Sequence, residues 1–262
     1  MSVICPLFSS SSGNSTYIGT KNGAVLIDAG ASLKKICEAA DNADLSLSDI
    51  KAVLVTHTHI DHICGLRPLL NKLKVPLMAS SKTLEALADA NKIPSGVKVI
   101  TADEGVLDID GIGIEFFATP HDSEGSGGYS VFTPDGKKIT LCTDLGVVTD
   151  GVRNALCNSD LVLIESNHDI EMLKKGPYPP QLKLRILSDM GHISNTACAA
   201  ELKALFKNGT KRFILGHLSQ NNNTPLLARS ANESALMDLG AENGKDYILQ
   251  VAKPTGNKVT VI

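Results

Sequence analysis

No stretch of this chain approaches the roughly 20 consecutive apolar residues that a membrane helix needs, so no membrane association is expected. Its six cysteines, Cys5, Cys37, Cys64, Cys142, Cys157 and Cys198, include no C-x-x-C pair. The start of the chain shows no basic segment followed by a long apolar stretch. These absences predict a reduced, cytoplasmic protein. A basic excess is also missing, with Lys+Arg 25 against Asp+Glu 28. That balance argues against long, purely electrostatic tracking of a nucleic-acid duplex. Beyond Ser9 to Ser12 there is no low-complexity or linker-like segment. With 43% apolar content in 262 residues the chain can bury a substantial core, and one domain over 1–262 is predicted.

What the chain does have is concentrated histidine. All seven histidines lie in short motif-like strings, and three share His57-Thr58-His59-Ile60-Asp61-His62, directly after the apolar run Val53-Leu54-Val55. Side chains at i and i+2 share a face in extended chain, so His57 and His59 can address one ion while Asp61 and His62 come round the turn to another. Imidazole suits Zn, Fe or Mn, and a carboxylate among imidazoles favours a hydrolytic site over a closed structural one, which would use cysteine. The other candidates stand at the ends of predicted strands. Ile114 to Ala118 runs into Thr119-Pro120-His121-Asp122, Lys138 to Cys142 into Thr143-Asp144, and Arg212 to Leu215 into Gly216-His217.

The ordered series H-x-H-x-D-H, His, Asp, His resembles the metallo-β-lactamase superfamily over nearly the whole chain. The resemblance implies an α/β fold, a four-layer α/β/β/α sandwich with the site at one sheet edge. It implies two divalent metal ions, Zn, Mn or Fe: His57, His59 and His121 on one, Asp61, His62 and His217 on the other, with Asp144 bridging. Asp28, in Leu26-Ile27-Asp28-Ala29-Gly30, matches the superfamily's early buried aspartate, which braces the metal loop. An aspartate at 144 rather than a cysteine separates the chain from antibiotic-hydrolysing members. It supports a metal pair about 3.5–4 Å apart, as phosphodiesterases and thioesterases use.

Three further strings, Leu163 to Asp169, Gly191-His192-Ile193-Ser194-Asn195 and His217 to Asn223, resemble the YycJ-like (WalJ-like) group of bacterial exonucleases, as does the opening Phe8 to Asn14. They are also similar to RNase Z, in which a glutamate and a Gly-His-Ser segment form a general-acid dyad. By that likeness Glu165 orients His192, which protonates the leaving oxygen. The chain adds His168, and it has no segment resembling the tRNA-gripping arm of RNase Z. Nor is there room between Asp144 and His217 for the inserted lid domain of related nucleases.

Several polar residues have both a plain and a functional reading. Ser11 to Asn14 make a turn or an anion nest for a terminal phosphate. Ser194 and Asn195 are a helix start or ligand contacts. His168 contacts the phosphate or leaving group, or hydrogen-bonds its loop. Lys183 and Arg185, with Lys174, Lys175 and Tyr178, form a solvated face or a strand-binding rim between Glu165 and His192.

The pattern predicts two similar halves. The first has strands near 3–8, 15–19, 24–28 and 51–55, helices at 31–42 and 64–73, a strand-helix pair over 76–91, and closing strands at 97–100, 105–109 and 112–118. The second has strands near 128–133, 138–143, 160–165 and 212–215, helices at 169–175, 195–208 and 226–239, and terminal strands 246–251 and 258–262. The expected function is a phosphodiesterase or exonuclease on single-stranded nucleic acid, using a hydroxide activated by the metal pair with Asp61, Glu165 and His192 as catalytic groups. A hydrolase of small thioesters, lactones or cyclic phosphodiesters stays open, as does a non-catalytic metal-binding module. No protein partner is predicted.

Overall fold

Apolar side chains on both faces of most central strands dictate that each sheet be covered twice. A computed structural model describes residues 1–262. Strands are numbered along the chain. The first sheet contains β1 (Val3–Ser10), β2 (Gly13–Thr20), β3 (Gly23–Ile27), β4 (Ile50–Leu54), β5 (Leu77–Ala79) and β6 (Val99–Thr101). The second contains β7 (Val106–Ile109), β8 (Ile112–Ala118), β9 (Gly127–Phe132), β10 (Lys138–Cys142), β11 (Leu161–Glu165), β12 (Arg212–Gly216) and β13 (Ile248–Val251). The last strand, β14 (Thr260–Val261), returns to pair with β1, so the orders are β14-β1-β2-β3-β4-β5-β6 and β13-β12-β11-β10-β9-β8-β7.

Ile4, Ile18, Val25, Ile27 and Leu54 from the first sheet meet Ile114, Tyr129, Val131, Leu141 and Leu163 from the second in one buried layer. Alternate residues point outward. Leu26 and Val53 pack with Ile36, Leu66, Leu69 and Leu70 of helices Leu33–Asn42 and Leu66–Leu73. Val162, Ile164, Phe213 and Leu215 pack under Val152, Leu202, Leu205 and Leu236 of helices Asp150–Leu156, Asn195–Lys207 and Pro225–Met237. Each fully buried Leu, Ile or Val in these layers is worth roughly 1.5–3 kcal/mol, which makes the period-2 alternation the main determinant of the four-layer sandwich.

The structure departs from the sequence expectation at definite places. The closing strands of the first half, 106–109 and 112–118, join the second sheet, while the C-terminal strand joins the first. The helix expected over 64–73 is found as Leu66–Leu73, and a separate, unexpected turn of helix, Ile60–Ile63, precedes it; between them lies Gly65, where a Cβ would stand 2.0 Å from the Ala31 carbonyl oxygen. Helices Asp150–Leu156 and Pro180–Leu187 were not expected. Their start signals are nonetheless visible, as Thr149 accepting from Val152 N–H and as Pro180 in the first turn.

β3 and β4 run parallel, as do β10, β11 and β12. Their C-terminal ends therefore open on one edge, where ligand sites of such sheets form.

Candidate metal centre

Most of the clustered residues leave strand ends, while His59, Asp61 and His62 lie at and on the short helix Ile60–Ile63. Asp28 follows β3, His57 is the third residue after β4, His121 follows β8, Asp144 follows β10, Glu165 closes β11 and His217 follows β12. Three of these, Asp28, Asp144 and His217, have left-handed backbone, with φ of 63°, 58° and 51°. Such a conformation costs a non-glycine residue roughly 1–3 kcal/mol and persists only where the surroundings enforce it. Here it turns three side chains sharply off their strands toward a common point. The two sheets are tied at that point by the His217 N–H, which donates to the Ser9 hydroxyl across 2.9 Å.

Four of five histidines have one nitrogen hydrogen-bonded outward to an acceptor, and the fifth, His59, has one beside a carboxylate. His57 Nδ1 is 3.0 Å from Thr56 Oγ1, His62 Nδ1 2.8 Å from Asp28 Oδ2, and His121 Nδ1 3.1 Å from the Gly191 carbonyl. His217 Nδ1 lies 2.7 Å from Glu165 Oε2, and His59 Nε2 lies 3.5 Å from Asp122 Oδ1. The other nitrogens converge. His59 Nδ1 and His121 Nε2 are 3.3 Å apart, about the edge of a tetrahedron with 2.0–2.1 Å metal bonds. His57 Nε2, His217 Nε2 and Asp144 Oδ2 are buried with no hydrogen-bond partner. Lone pairs of this kind buried together need a shared cation. Four overlapping groupings result: His57 with His59 and His121, Asp61 with His62 and His217, His57 with His62 and Asp144, and Asp144 with Glu165, His192 and His217. Asp144 lies between the first two, its oxygens 3.3 Å from His62 Nε2 and 3.8 Å from His121 Nε2. Imidazole and carboxylate donors at these spacings fit divalent metal ions.

Protonation follows the same division. Burial, reinforced by the neighbouring imidazoles, pushes His57 well below its ordinary value, and burial also lowers His59 and His121, which leaves these rings neutral at pH 7. His62 and His217 go the other way. Burial opposes their charge, but Asp144 and Asp28 outweigh it and lift His62 to about 9, while Asp144, Asp61 and Glu165 raise His217. Although burial works against it, the His217 and His62 rings hold the Asp61 carboxyl at about 2.

Asp28 is the central brace. One oxygen accepts from the Thr56 N–H at 2.8 Å, and the other accepts from the Thr56 hydroxyl and His62 Nδ1, both at 2.8 Å. Its alanine variant removes the carboxylate acceptor of all three of these buried donors. We expect thermal denaturation to show a loss of about 3 kcal/mol or more, at about 1–3 kcal/mol per stranded group, and elemental analysis to show less bound metal.

The Glu165 carboxylate does more than the sequence indicated. Oε2 receives His192 Nδ1 at 2.9 Å as well as His217 Nδ1, while Oε1 accepts the Ile193 N–H at 2.9 Å. One buried carboxylate thus orients both a clustered histidine and the histidine beside the cluster. Burial disfavours charge on His192, yet Glu165 and Asp144 raise its pKa above the ordinary value.

The candidate substrate contacts divide. Arg185 reaches the cluster through Asp122, and Ser11 is exposed in the β1–β2 turn. Asn14 is not part of a surface anion nest: it is buried, with Nδ2 3.0 Å from His62 Nε2 and 3.2 Å from Asp61 Oδ2. Asn195 is likewise withdrawn from ligands, because its amide is used up in a buried lattice with Ser166 and Asn223. The Ser194 hydroxyl caps its helix by accepting from Ala197 N–H. Lys183 donates to the Lys174 carbonyl. The His168 ring makes no hydrogen bond within its loop; it is 1% exposed with both nitrogens unpartnered, and burial lowers its pKa to about 4. Sequence reading missed Thr56, Asp122 and Gly191. Of these only Asp122 carried a visible signal, a carboxylate adjoining a candidate ligand.

The profile of the metallo-beta-lactamase superfamily matches residues 10–217. This chain belongs to the metallo-β-lactamase superfamily. A member named exodeoxyribonuclease WalJ, from Streptococcus pneumoniae, is 39% identical over 253 residues, covering 95% of this chain and 93% of its own. Exodeoxyribonuclease YycJ of Bacillus anthracis is 36% identical over 249 residues, covering 95% and 94%. Among solved structures, the metallo-β-lactamase fold protein YhfI from Bacillus subtilis superimposes with a TM-score of 0.74 over 100% of both chains at 17% identity, a likeness of fold.

Proposed function

We propose that the protein is a binuclear metal-dependent phosphodiesterase acting as an exonuclease on single-stranded nucleic acid. The two relatives described above, similar over 95% of this chain, are exodeoxyribonucleases by name. The observation that carries the reading is the Glu165–His192 pair beside the metal centre. Expelling an alkoxide from phosphorus benefits from a positioned acid, whereas a thioester, with a better leaving group, needs one less.

His57, His59 and His121 would hold one ion, Asp61, His62 and His217 a second, with Asp144 shared, and Zn, Mn or Fe suits the donors. When bound, such ions supply Lewis acidity that lowers the pKa of coordinated water and neutralises charge on phosphoryl oxygens. Asp61, ionised and turned toward His62 and His217, keeps an acceptor in the site. Glu165 fixes His192 through Nδ1 and favours its protonated form, which leaves Nε2–H to donate to the departing oxygen. Ser11 and Arg185 stand at the rim as candidate contacts for the strand. The acidic balance of the chain suits a short bound segment better than a duplex track.

The test is a gel time course with metal-loaded protein and single-stranded DNA or RNA labelled at the 5′ or the 3′ end, with Asp61→Ala as control. We expect a product ladder or released mononucleotide that vanishes in the control. His192→Ala should slow cleavage by about 10²–10⁴-fold with metal content unchanged. Absence of cleavage by protein carrying both ions would overturn the nuclease reading in favour of small esters.

A further inference from the structure

Four of the five clustered histidines have their outer nitrogen held within 3.1 Å of an acceptor, and the fifth does not. His59, whose side chain is 34% exposed, is 3.5 Å from Asp122 Oδ1. Asp122 is itself held from outside. Arg185, on helix Pro180–Leu187, donates from Nε to Oδ2 and from Nη2 to Oδ1, the second at 2.9 Å. This two-pronged grip matters because Asp122 Oδ1 also lies 3.4 Å from His121 Nε2, a nitrogen facing the cluster. Oδ1 thus stands between the outer nitrogen of His59 and a cluster-facing nitrogen of His121, and the grip on both oxygens stops the carboxylate from turning further toward the cluster, keeping Oδ1 beside His59 Nε2.

We propose that Asp122 and Arg185 are positioning residues for the ion held by His57, His59 and His121, with Arg185 fixing Asp122 and Asp122 fixing His59. To present the Nδ1 lone pair, neutral His59 must carry its proton on Nε2, and a carboxylate beside Nε2 selects that tautomer and makes the ring a stronger donor. Helix Pro180–Leu187 thereby influences how tightly one of the two ions is held. A lysine at 185 would supply charge without the planar fork that engages both oxygens. The proposal rests on the metal centre of the preceding section and not on its substrate.

The test is titration of metal-free protein with Zn²⁺ in competition with a chromophoric chelator. Asp122→Asn should weaken one of the two equivalents by about 10–100-fold and leave the other as tight as in the unaltered protein. Arg185→Gln should weaken the same equivalent, and Arg185→Lys should fall between it and the unaltered protein. Melting temperatures of the metal-free variants should stay near that of the parent, because a partly exposed ion pair contributes little to folding. Both equivalents unchanged in Arg185→Gln would overturn the relay, as would a loss of both that accompanies a lowered metal-free melting temperature. Protein that binds two Zn²⁺ in this pattern but cuts no nucleic acid would refute the exonuclease reading while supporting the relay.

Discussion

Asp144→Ala is expected to abolish turnover, lowering kcat by at least about 10³-fold. This is the decade count for losing several kcal/mol of charge stabilisation at 1.36 kcal/mol each. The residue is 2% exposed, and its carboxylate is the one that reaches toward both histidine sets. Its left-handed backbone, just past the end of β10, turns the carboxylate off the strand into the cluster. Removal also takes from the site a buried carboxylate whose oxygens lie 3.3 Å from each of His62 Nε2 and His217 Nδ1. Metal analysis should show fewer than two equivalents retained, and Asp144→Asn, which preserves shape but not charge, should be nearly as inactive. Full activity with unaltered metal content in Asp144→Ala would remove this residue from the centre.

Gly30→Ala is expected to be the most disruptive single-methyl change near the site. A Cβ at Gly30 would stand 1.7 Å from the Asp61 carbonyl oxygen and 2.5 Å from the Asn14 backbone nitrogen. Both neighbours are backbone, so no rotamer relieves the clash. The surrounding segment is latched on every side: Ala29 N–H donates to the His62 carbonyl, Gly30 N–H to the Asn14 carbonyl, and Asp28 grips Thr56 and His62. The methyl must therefore displace the peptide that carries Asp61. Overpacking of this kind costs about 1–3 kcal/mol or more, and at roughly 2–4 °C per kcal/mol the melting temperature should fall by about 5–10 °C. Metal uptake by the Asp61, His62 and His217 set should weaken with it. A variant with the parent's melting temperature and metal content would show that the loop moves aside without cost.

The histidine string, the strand-end positions of His121, Asp144 and His217, and the Glu165–His192 pairing were all readable in order along the chain. Metal ligation demands particular residue types, and strands place them at a fixed period. Polar residues with general uses were not readable in this way. Asn14 and Asn195 could equally be ligand contacts or interior groups, and their burial against Asp61 and Asn223 was decided by elements distant in sequence.

Local chemistry in the sequence by itself determined the strands, most of the helices and the identity of the donor groups, because alternation, caps and ligand chemistry act over a few residues. Only the tertiary structure decided that Val106 to Ala118 joins the second sheet and that the chain end returns to the first. It alone decided that Glu165 serves two histidines and that a helix 60 residues beyond His121 reaches back through Arg185 to Asp122. Those outcomes depend on which apolar faces can be buried together and on where buried donors find acceptors, quantities that exist only once the two sheets have closed on each other.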